Sequence, residues 1–286
     1  MENKIRLAVQ KSGRLSEGSM KLIRDCGINV SNGIGKLKAV ASNFPIEFLF
    51  LRDDDIPGYV QDNIADIGII GENVFAEKQK EVAVVHRLGF SRCRLSLAIP
   101  KTAKYSDISY FQDSAIATSY PNLLRTYLEG KGVKADIHEI SGSVEIAPSI
   151  GLADAVCDIV SSGSTLFTNG LKEVETIFRS EAVMIGNKEM SAEKKETLNQ
   201  LLFRIESLQK AKNNKYILLN APKDSVDAIK ALLPGMKSPT IMPLADENWV
   251  SIHSVINEND FWAQIEAIKG AGAQGILVVP IEKMVL

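Results

Sequence analysis

A short apolar strand around Val156, Ile159 and Val160 runs directly into Ser161-Ser-Gly-Ser-Thr165, and this junction constrains the chain more than any other stretch. A buried strand that ends in a glycine-containing loop belongs in an α/β sheet, where ligands gather at the carboxyl ends of strands. Gly163 tolerates positive φ and lets backbone approach a ligand closely. Successive N–H groups around it form an anion-binding nest, and the hydroxyls add donors, so a phosphate needs no lysine. A helix turn opening near Ser164 would add favourable partial charge. Asp158, at the end of the strand, is placed to accept hydrogen bonds from sugar hydroxyls. An acid followed by such a loop suits a 5-phosphoribosyl group. A polar turn with a helix cap has the same composition, because Ser, Thr and Gly dominate ordinary turns.

The rest of the chain alternates strands and helices. Strands are expected at Ile5–Val9, Ile46–Leu51, Ile67–Ile70, Val82–Leu88 and Arg94–Ile99, with helices at Ser16–Cys26 and Asp54–Asn63. Ala115–Thr118, a helix opened by Tyr120-Pro-Asn, Ile137–Ile140, a helix over Glu145–Leu152 and Val156–Val160 repeat the pattern. This predicts an α/β sandwich with a largely parallel sheet. Val174–Ile185 reads as one long strand returning to the first unit, and Ser191–Lys212 as a long helix capped by Ser191. Its cap lacks the usual acidic partner, since Lys194 stands three positions on. Two such lobes joined by crossing strands form a cleft like that of periplasmic binding proteins. The last segment reads β-α-β-β-α-β from Tyr216 to Val279, the ferredoxin-like order, with a helix stopped at Pro234-Gly235. The expected boundaries are 1–100 with 180–214 for one catalytic lobe, 101–179 for the lobe carrying the phosphate loop, and 215–286 for the third module.

Composition excludes several classes. The 286 residues carry a net charge of −2 and 45% apolar residues, which fits a globular protein rather than a nucleic-acid or membrane-surface binder. No apolar run is long enough to span a bilayer, and no signal-peptide segment precedes the first strand, so a cytoplasmic location is expected. Cys26, Cys93 and Cys157 are far apart and include no C-x-x-C, which predicts neither zinc nor disulfides. Cys157 reads as a small core residue rather than a nucleophile. His86, His138 and His253 have no metal-ligand neighbours at helical spacing.

Other motifs have two readings each. Gln10-Lys-Ser-Gly-Arg-Leu15, at the end of the first strand, suits an anionic ligand or is a solvated turn. Asp53-Asp-Asp55 is a solvated helix start or a Mg²⁺ contact. Glu72 contacts a ribose or caps a helix. Asn32-Gly-Ile-Gly-Lys36 lacks the Walker spacing and reads as a turn.

Glu145, Gly151, Ala153, Val156, Asp158, Ser162, Gly163, Thr165 and Leu166 form a nine-position spaced set that resembles the signature of the ATP phosphoribosyltransferases. Lys11-Ser-Gly-Arg-Leu15, Arg52-Asp-Asp-Asp-Ile-Pro57, Gly68-Ile-Ile-Gly-Glu-Asn73 and Ala117-Thr-Ser-Tyr-Pro121 also match that family. Ser238-Pro-Thr-Ile-Met-Pro-Leu-Ala245 and the ending Val279-Pro-Ile-Glu-Lys283 mark its long form, so the resemblance covers the chain. It implies transfer of phosphoribose from phosphoribosyl pyrophosphate (PRPP) to N1 of ATP, the first step of histidine biosynthesis. It assigns Asp158, Glu145, Lys11 and Arg14 to catalysis, and Asp158 with Ser161, Ser162, Gly163, Ser164 and Thr165 to PRPP. Lys11, Ser12, Gly13, Arg14, Leu15, Glu72 and Tyr120 go to ATP. It further implies Mg²⁺, inhibition by L-histidine through Asn220, Ser238, Thr240, Val255 and Gly275, AMP as a second effector, and dimers that assemble into hexamers. Asn220 stands where some members carry an acidic residue. The alternatives are a ligand sensor on the same two-lobed fold, without turnover, and a phosphoribosyltransferase acting on another base.

Overall fold

A computed structural model describes residues 4–30, 37–233, 235 and 238–286. The Asn32–Lys36 turn and Pro234 lie outside the described residues. The chain divides into two compact units, Met1–Asn199 and Gln200–Leu286.

The first unit contains two sheets. One has the order Lys38–Val40, Ile46–Leu51, Ile5–Gln10, Ile67–Gly71, Ala182–Gly186, Ala83–Arg87. Its central strands are apolar on both faces: Leu7, Ala8, Val9, Ile69, Ile70 and Val183 are fully buried. That is the pattern of strands covered by helices on both sides. The other sheet has the order Leu171–Ser180, Cys93–Pro100, Ala155–Val160, Ala115–Thr118, Asp136–Glu139. Each sheet with its helices is one lobe of the periplasmic-binding-protein-like core that the sequence predicts.

Several expectations need correction. The sheets are mixed rather than largely parallel: Ile5–Gln10 pairs parallel on both sides, but Ala182–Gly186 pairs antiparallel with both of its neighbours. Strands that return from the other lobe enter against the local direction. Cys93–Pro100 was expected in the first lobe and hydrogen-bonds in the second sheet, between Leu171–Ser180 and Ala155–Val160. The single long strand over 174–185 is two strands, Leu171–Ser180 in one sheet and Ala182–Gly186 in the other. The helix over 145–152 is only a 3-10 turn, Val144–Ile146. Pro148 has no N–H to donate back to the Val144 carbonyl, and Gly151 sits at φ 75°.

The helix Ala192–Lys212 starts as the Ser191 cap predicts, with the Lys194 amide 3.4 Å from Ser191 Oγ. Lys194 has a different use for its charge. Its Nζ donates to buried Asp66 at 2.8 Å, and Asp66 also accepts the Arg6 amide at 2.7 Å.

The second unit carries an antiparallel sheet in the order Thr240–Pro243, Trp249–Asn257, Asn214–Pro222, Gln274–Pro280. Period-two alternation buries Ile217, Leu219 and Ala221 on one face, where they meet Ile229 of helix Val226–Leu232 and Phe261 and Ile268 of helix Glu258–Gly270. This is the ferredoxin-like arrangement. No described helix is long and apolar enough to cross a membrane.

Candidate active site

A cleft of about 380 Å³ opens between the two lobes of the first unit. One wall is the end of the first strand and its following helix (Gln10, Arg14, Leu15), with Asp53 and Gly71-x-Asn73-Val74. The other wall is Ser119-Tyr120, Gly142–Val144, Asp158, Ile159 and Ser161. Ser91, Arg92 and Cys93, on the crossing segment, line it as well.

The side of the sheet that Asp158 faces follows from alternation. Cys157 points into the core beside Leu95 and Leu124, while Val156 and Val160 point to the other face with Val144 and Ala147. Asp158 lies between those two valines, half-buried, with Oδ1 accepting the Ile159 amide at 2.7 Å. Burial raises its acid above the ordinary carboxylate range, and the charge of Glu145 raises it further. Cys157 is fully buried and burial pushes its thiol up, so it is the core residue expected.

The loop beyond Asp158 turns at Gly163, which has φ 82°, ψ 0° and caps a single helical turn, Ser164–Thr168. The Phe167 amide bonds to the Gly163 carbonyl at 3.0 Å, and the Ser162 and Ser164 hydroxyls meet at 3.0 Å. Leu166 anchors the turn in the core, and Ser161, Ser162, Ser164 and Thr165 remain exposed. Across the cleft Gly13 (φ 94°) turns the chain into helix Arg14–Asp25. Arg14 and Leu15 line the cleft; Lys11, Ser12 and Gly13 are exposed beside them.

Tyr120 lines the second-lobe wall and is tied to the first lobe. Its hydroxyl accepts a hydrogen bond from Asn73 Nδ2 at 2.9 Å. Ser180 in turn donates to Asn73 Oδ1 at 2.8 Å and accepts the Asn73 amide at 3.0 Å. Burial pushes the Tyr120 phenol up, so the hydroxyl stays neutral.

Glu72 departs from the sequence reading. It does not line the cleft but faces an adjoining hollow with Arg87, Arg92, Arg179 and Glu181. The Arg87 guanidinium donates to both of its oxygens. Sequence reasoning missed Gln10, Asn73, Ser91–Cys93 and Gly142–Val144. Gln10 and Asn73 stood in quoted motifs without a role of their own; the rest come from segments with no local signal. Asp53, read as a solvated helix start, is partly withdrawn from water: burial raises its acid, and Asp54 adds to this. Among the described residues no group of three or more His, Cys, Asp or Glu side chains is arranged to hold a metal.

In the second unit the helices cover one face of the sheet. Asn220, Thr240 and Val255 lie on the other: Thr240 pairs with His253, Asn220 with Ser251, and Val255 with Tyr216. A Cβ on Gly275 (φ 57°) would stand 3.6 Å from Asn220 Nδ2, so Gly275 adjoins this group. Ser238 precedes the edge strand and is exposed. His253 bridges Tyr216 Oη (2.7 Å) and Ser251 Oγ (3.0 Å) on the same face.

Comparison with known proteins bears on both units. The family model described as ATP phosphoribosyltransferase matches residues 52–207, and that of the HisG C-terminal domain matches residues 211–283. The ATP phosphoribosyltransferase of Cytophaga hutchinsonii is 59% identical over 285 residues, covering 100% of both chains. That of Bacteroides thetaiotaomicron is 57% identical over 282 residues, 99% of this chain and 100% of its own. Among solved structures, the ATP phosphoribosyl transferase (HisG:HisZ) complex from Thermotoga maritima aligns with TM-score 0.60 and 30% identity, over 71% of this chain and 98% of that chain. Tv2483 bound to L-arginine aligns with TM-score 0.52 at 12% identity, over 73% and 86% of the two chains, a likeness of fold alone.

Proposed function

The chain belongs to the ATP phosphoribosyltransferase family, and we infer that it transfers the 5-phosphoribosyl group of PRPP to N1 of ATP, releasing pyrophosphate, as the first step of histidine biosynthesis. One juxtaposition carries this reading. A half-buried acid and a hydroxyl-rich glycine loop end the same strand, and Arg14 faces them across one cleft.

In this reading Ser161–Thr165 holds the 5′-phosphate and Asp158 accepts the ribose hydroxyls, with Glu145 behind it. Lys11 and Arg14, beside Ser12 and Gly13, neutralise the polyphosphates, and Leu15 and Tyr120 flank the adenine. Adenine N1 attacks ribose C1 while pyrophosphate leaves through an oxocarbenium-like state. N1 is unprotonated near neutral pH, so no strong base is required. Holding two anionic substrates in line contributes roughly 7–11 kcal/mol for well-oriented reactants. The Asp158 carboxylate also lies where positive charge develops at C1.

The family's chemistry implies Mg²⁺. A Mg²⁺ ion commonly binds one or two carboxylates plus substrate phosphates, and the donor set fits. Asp53 lines the cleft with an acid that burial and Asp54 disfavour in its charged form. A cation there offsets both effects. When bound, the metal neutralises charge on the leaving pyrophosphate.

We assign catalysis to residues 1–100 with 180–214 and 101–179, with the Cys93–Pro100 strand joining the second lobe, and regulation to 215–286. The open face with Asn220, Thr240, Val255 and Gly275, next to Ser238, takes L-histidine as an inhibitor, and AMP acts as a second effector. The chain works in the cytoplasm as a homo-oligomer, with dimers assembling into a hexamer that histidine makes less active.

The test is pyrophosphate release by the full chain with Mg²⁺, ATP and PRPP, repeated with L-histidine. Release that histidine suppresses supports both assignments. Release indifferent to histidine removes the regulatory reading alone. Binding of both substrates without release removes the catalytic one and favours the sensor.

A further inference from the structure

The phosphate loop is held from behind by a charged pair that the reaction itself does not use. Arg94 stands on Cys93–Pro100, directly opposite Val160 in the antiparallel register with Ala155–Val160. Its Nη1 donates to the Ser161 carbonyl at 3.2 Å. Its other two donors, Nε and Nη2, grip the two oxygens of Glu173. Glu173 is fixed in its turn: Ser96 donates to Oε1 at 2.8 Å and Thr176 to the same atom at 3.4 Å. The Arg94 hydrogen bonds hold the Glu173 acid below its ordinary range, so the pair is ionised on both sides.

Peptide geometry gives this contact a consequence. All described peptide bonds are trans. In a trans peptide the carbonyl of one residue and the amide of the next point in opposite directions. Fixing the Ser161 carbonyl on Arg94 therefore turns the Ser162 N–H to the opposite side. The Glu173 carboxylate also cancels the guanidinium charge at close range, so Arg94 acts on the loop through geometry more than through its field.

We propose that Arg94, clamped by Glu173, is a positioning residue that orients the Ser161–Ser162 peptide so that the Ser162 amide serves the 5′-phosphate of PRPP. This rests on the assignment of Ser161–Thr165 to that phosphate. Three directed N–H groups in one plane are required, two for Glu173 and one for Ser161, and a lysine ammonium cannot supply that fork. The effect is specific to one substrate, because ATP does not use this peptide.

The experiment is steady-state kinetics on full-length Arg94→Met, Arg94→Lys and Thr165→Val, varying PRPP and ATP separately, with thermal melts as a control of folding. Losing one hydrogen bond from a charged group predicts a roughly tenfold rise in KM for PRPP. KM for ATP is expected to stay within about twofold of the parent, with Arg94→Lys intermediate. Equal rises in both KM values would reduce Arg94 to general support of the lobe and overturn the proposal. If Arg94→Met does not fold, Arg94→Lys decides: a selective PRPP defect supports the proposal and parent kinetics refute it. Thr165→Val separates the two layers. If it raises KM for PRPP while the Arg94 variants do not, the loop assignment stands and the Arg94 role fails. If neither position affects PRPP, the loop assignment fails and the Arg94 role with it.

Discussion

Glu77 of the first lobe caps Asn122 of the second. Its carboxylate, 5% exposed, accepts the amides of Asn122 and Leu123, each at 2.9 Å. Helix Pro121–Gly130 has no side-chain cap of its own at Tyr120, so its unpaired first-turn N–H groups are met from across the cleft. The negative charge also sits at the positive end of the helix dipole. The same short helix, Glu72–Lys78, provides Asn73, which holds the Tyr120 hydroxyl. The two lobes are thus locked together immediately beside the cleft.

Glu77→Ala removes an acceptor shared by two amides and leaves them facing a closed interface. We expect a loss of about 1–3 kcal/mol in stability. KM should rise for both substrates, since both walls of the cleft shift. Glu77→Gln, with one acceptor oxygen, should fall between. Urea denaturation and two-substrate kinetics measure both effects; a change confined to one substrate would show that the lock acts locally.

Gly163→Ala tests the loop by strain. The position has φ 82°, and an added Cβ would lie 3.9 Å from Val160 Cγ1, an ordinary contact. Crowding is therefore absent, and the cost is that of a left-handed backbone, roughly 1–2 kcal/mol. We expect that loss in chemical denaturation together with a higher KM for PRPP and an unchanged KM for ATP. Parent-like PRPP kinetics would mean that the substrate does not touch this turn.

The phosphate loop, Asp158 and the Arg14 turn were legible because each is a local sequence: a strand, an acid or base, and a glycine within a few residues. The ferredoxin-like module was legible because its periods switch cleanly from two to 3.6. What stayed hidden is what the topology brings together from afar. Nothing near Glu77 announces that it caps a helix that starts at Pro121. Glu72 sat in a matching motif, yet its partner is Arg87, on a strand joined to the sheet through the return of Ala182–Gly186. The break at Glu181 was invisible because strands in different sheets share one apolar pattern. The segment 145–152 stops after one turn because Pro148 offers no N–H to the Val144 carbonyl and Gly151 leaves the helical region.

Thr240→Ala addresses regulation. Thr240 is exposed on the edge strand Thr240–Pro243, opposite His253 on the face that the helices leave open. Removing its hydroxyl should change stability by no more than about 0.5 kcal/mol, as for most surface substitutions. Turnover should persist while inhibition by L-histidine weakens, read from inhibition curves at fixed ATP and PRPP. Superimposable curves would eliminate this pocket.

Asp158→Asn sets stability against activity. Burial and Glu145 raise the Asp158 acid above its ordinary value of 3.8. A folded-state pKa above the unfolded one means that the fold favours the protonated form. That contribution is complete below the unfolded value and is lost as pH rises through the folded one. At neutral pH the ionised carboxylate therefore opposes folding. Asparagine keeps an oxygen to accept the Ile159 amide, now at 2.7 Å, and carries no charge. We expect the variant to melt higher than the parent at pH 7, with the gap narrowing as pH falls through the raised folded value and closed below about 4. Turnover should drop by roughly 10²-fold or more, because the acceptor for the ribose hydroxyls and the charge facing C1 are both weakened. In the parent, the acid limb of kcat/KM for PRPP should lie above the ordinary carboxylate range and be absent from the variant's residual activity. A variant that melts lower than the parent at neutral pH would show that the cleft compensates the buried charge, and Asp158 would then be a structural acid rather than one strained for substrate.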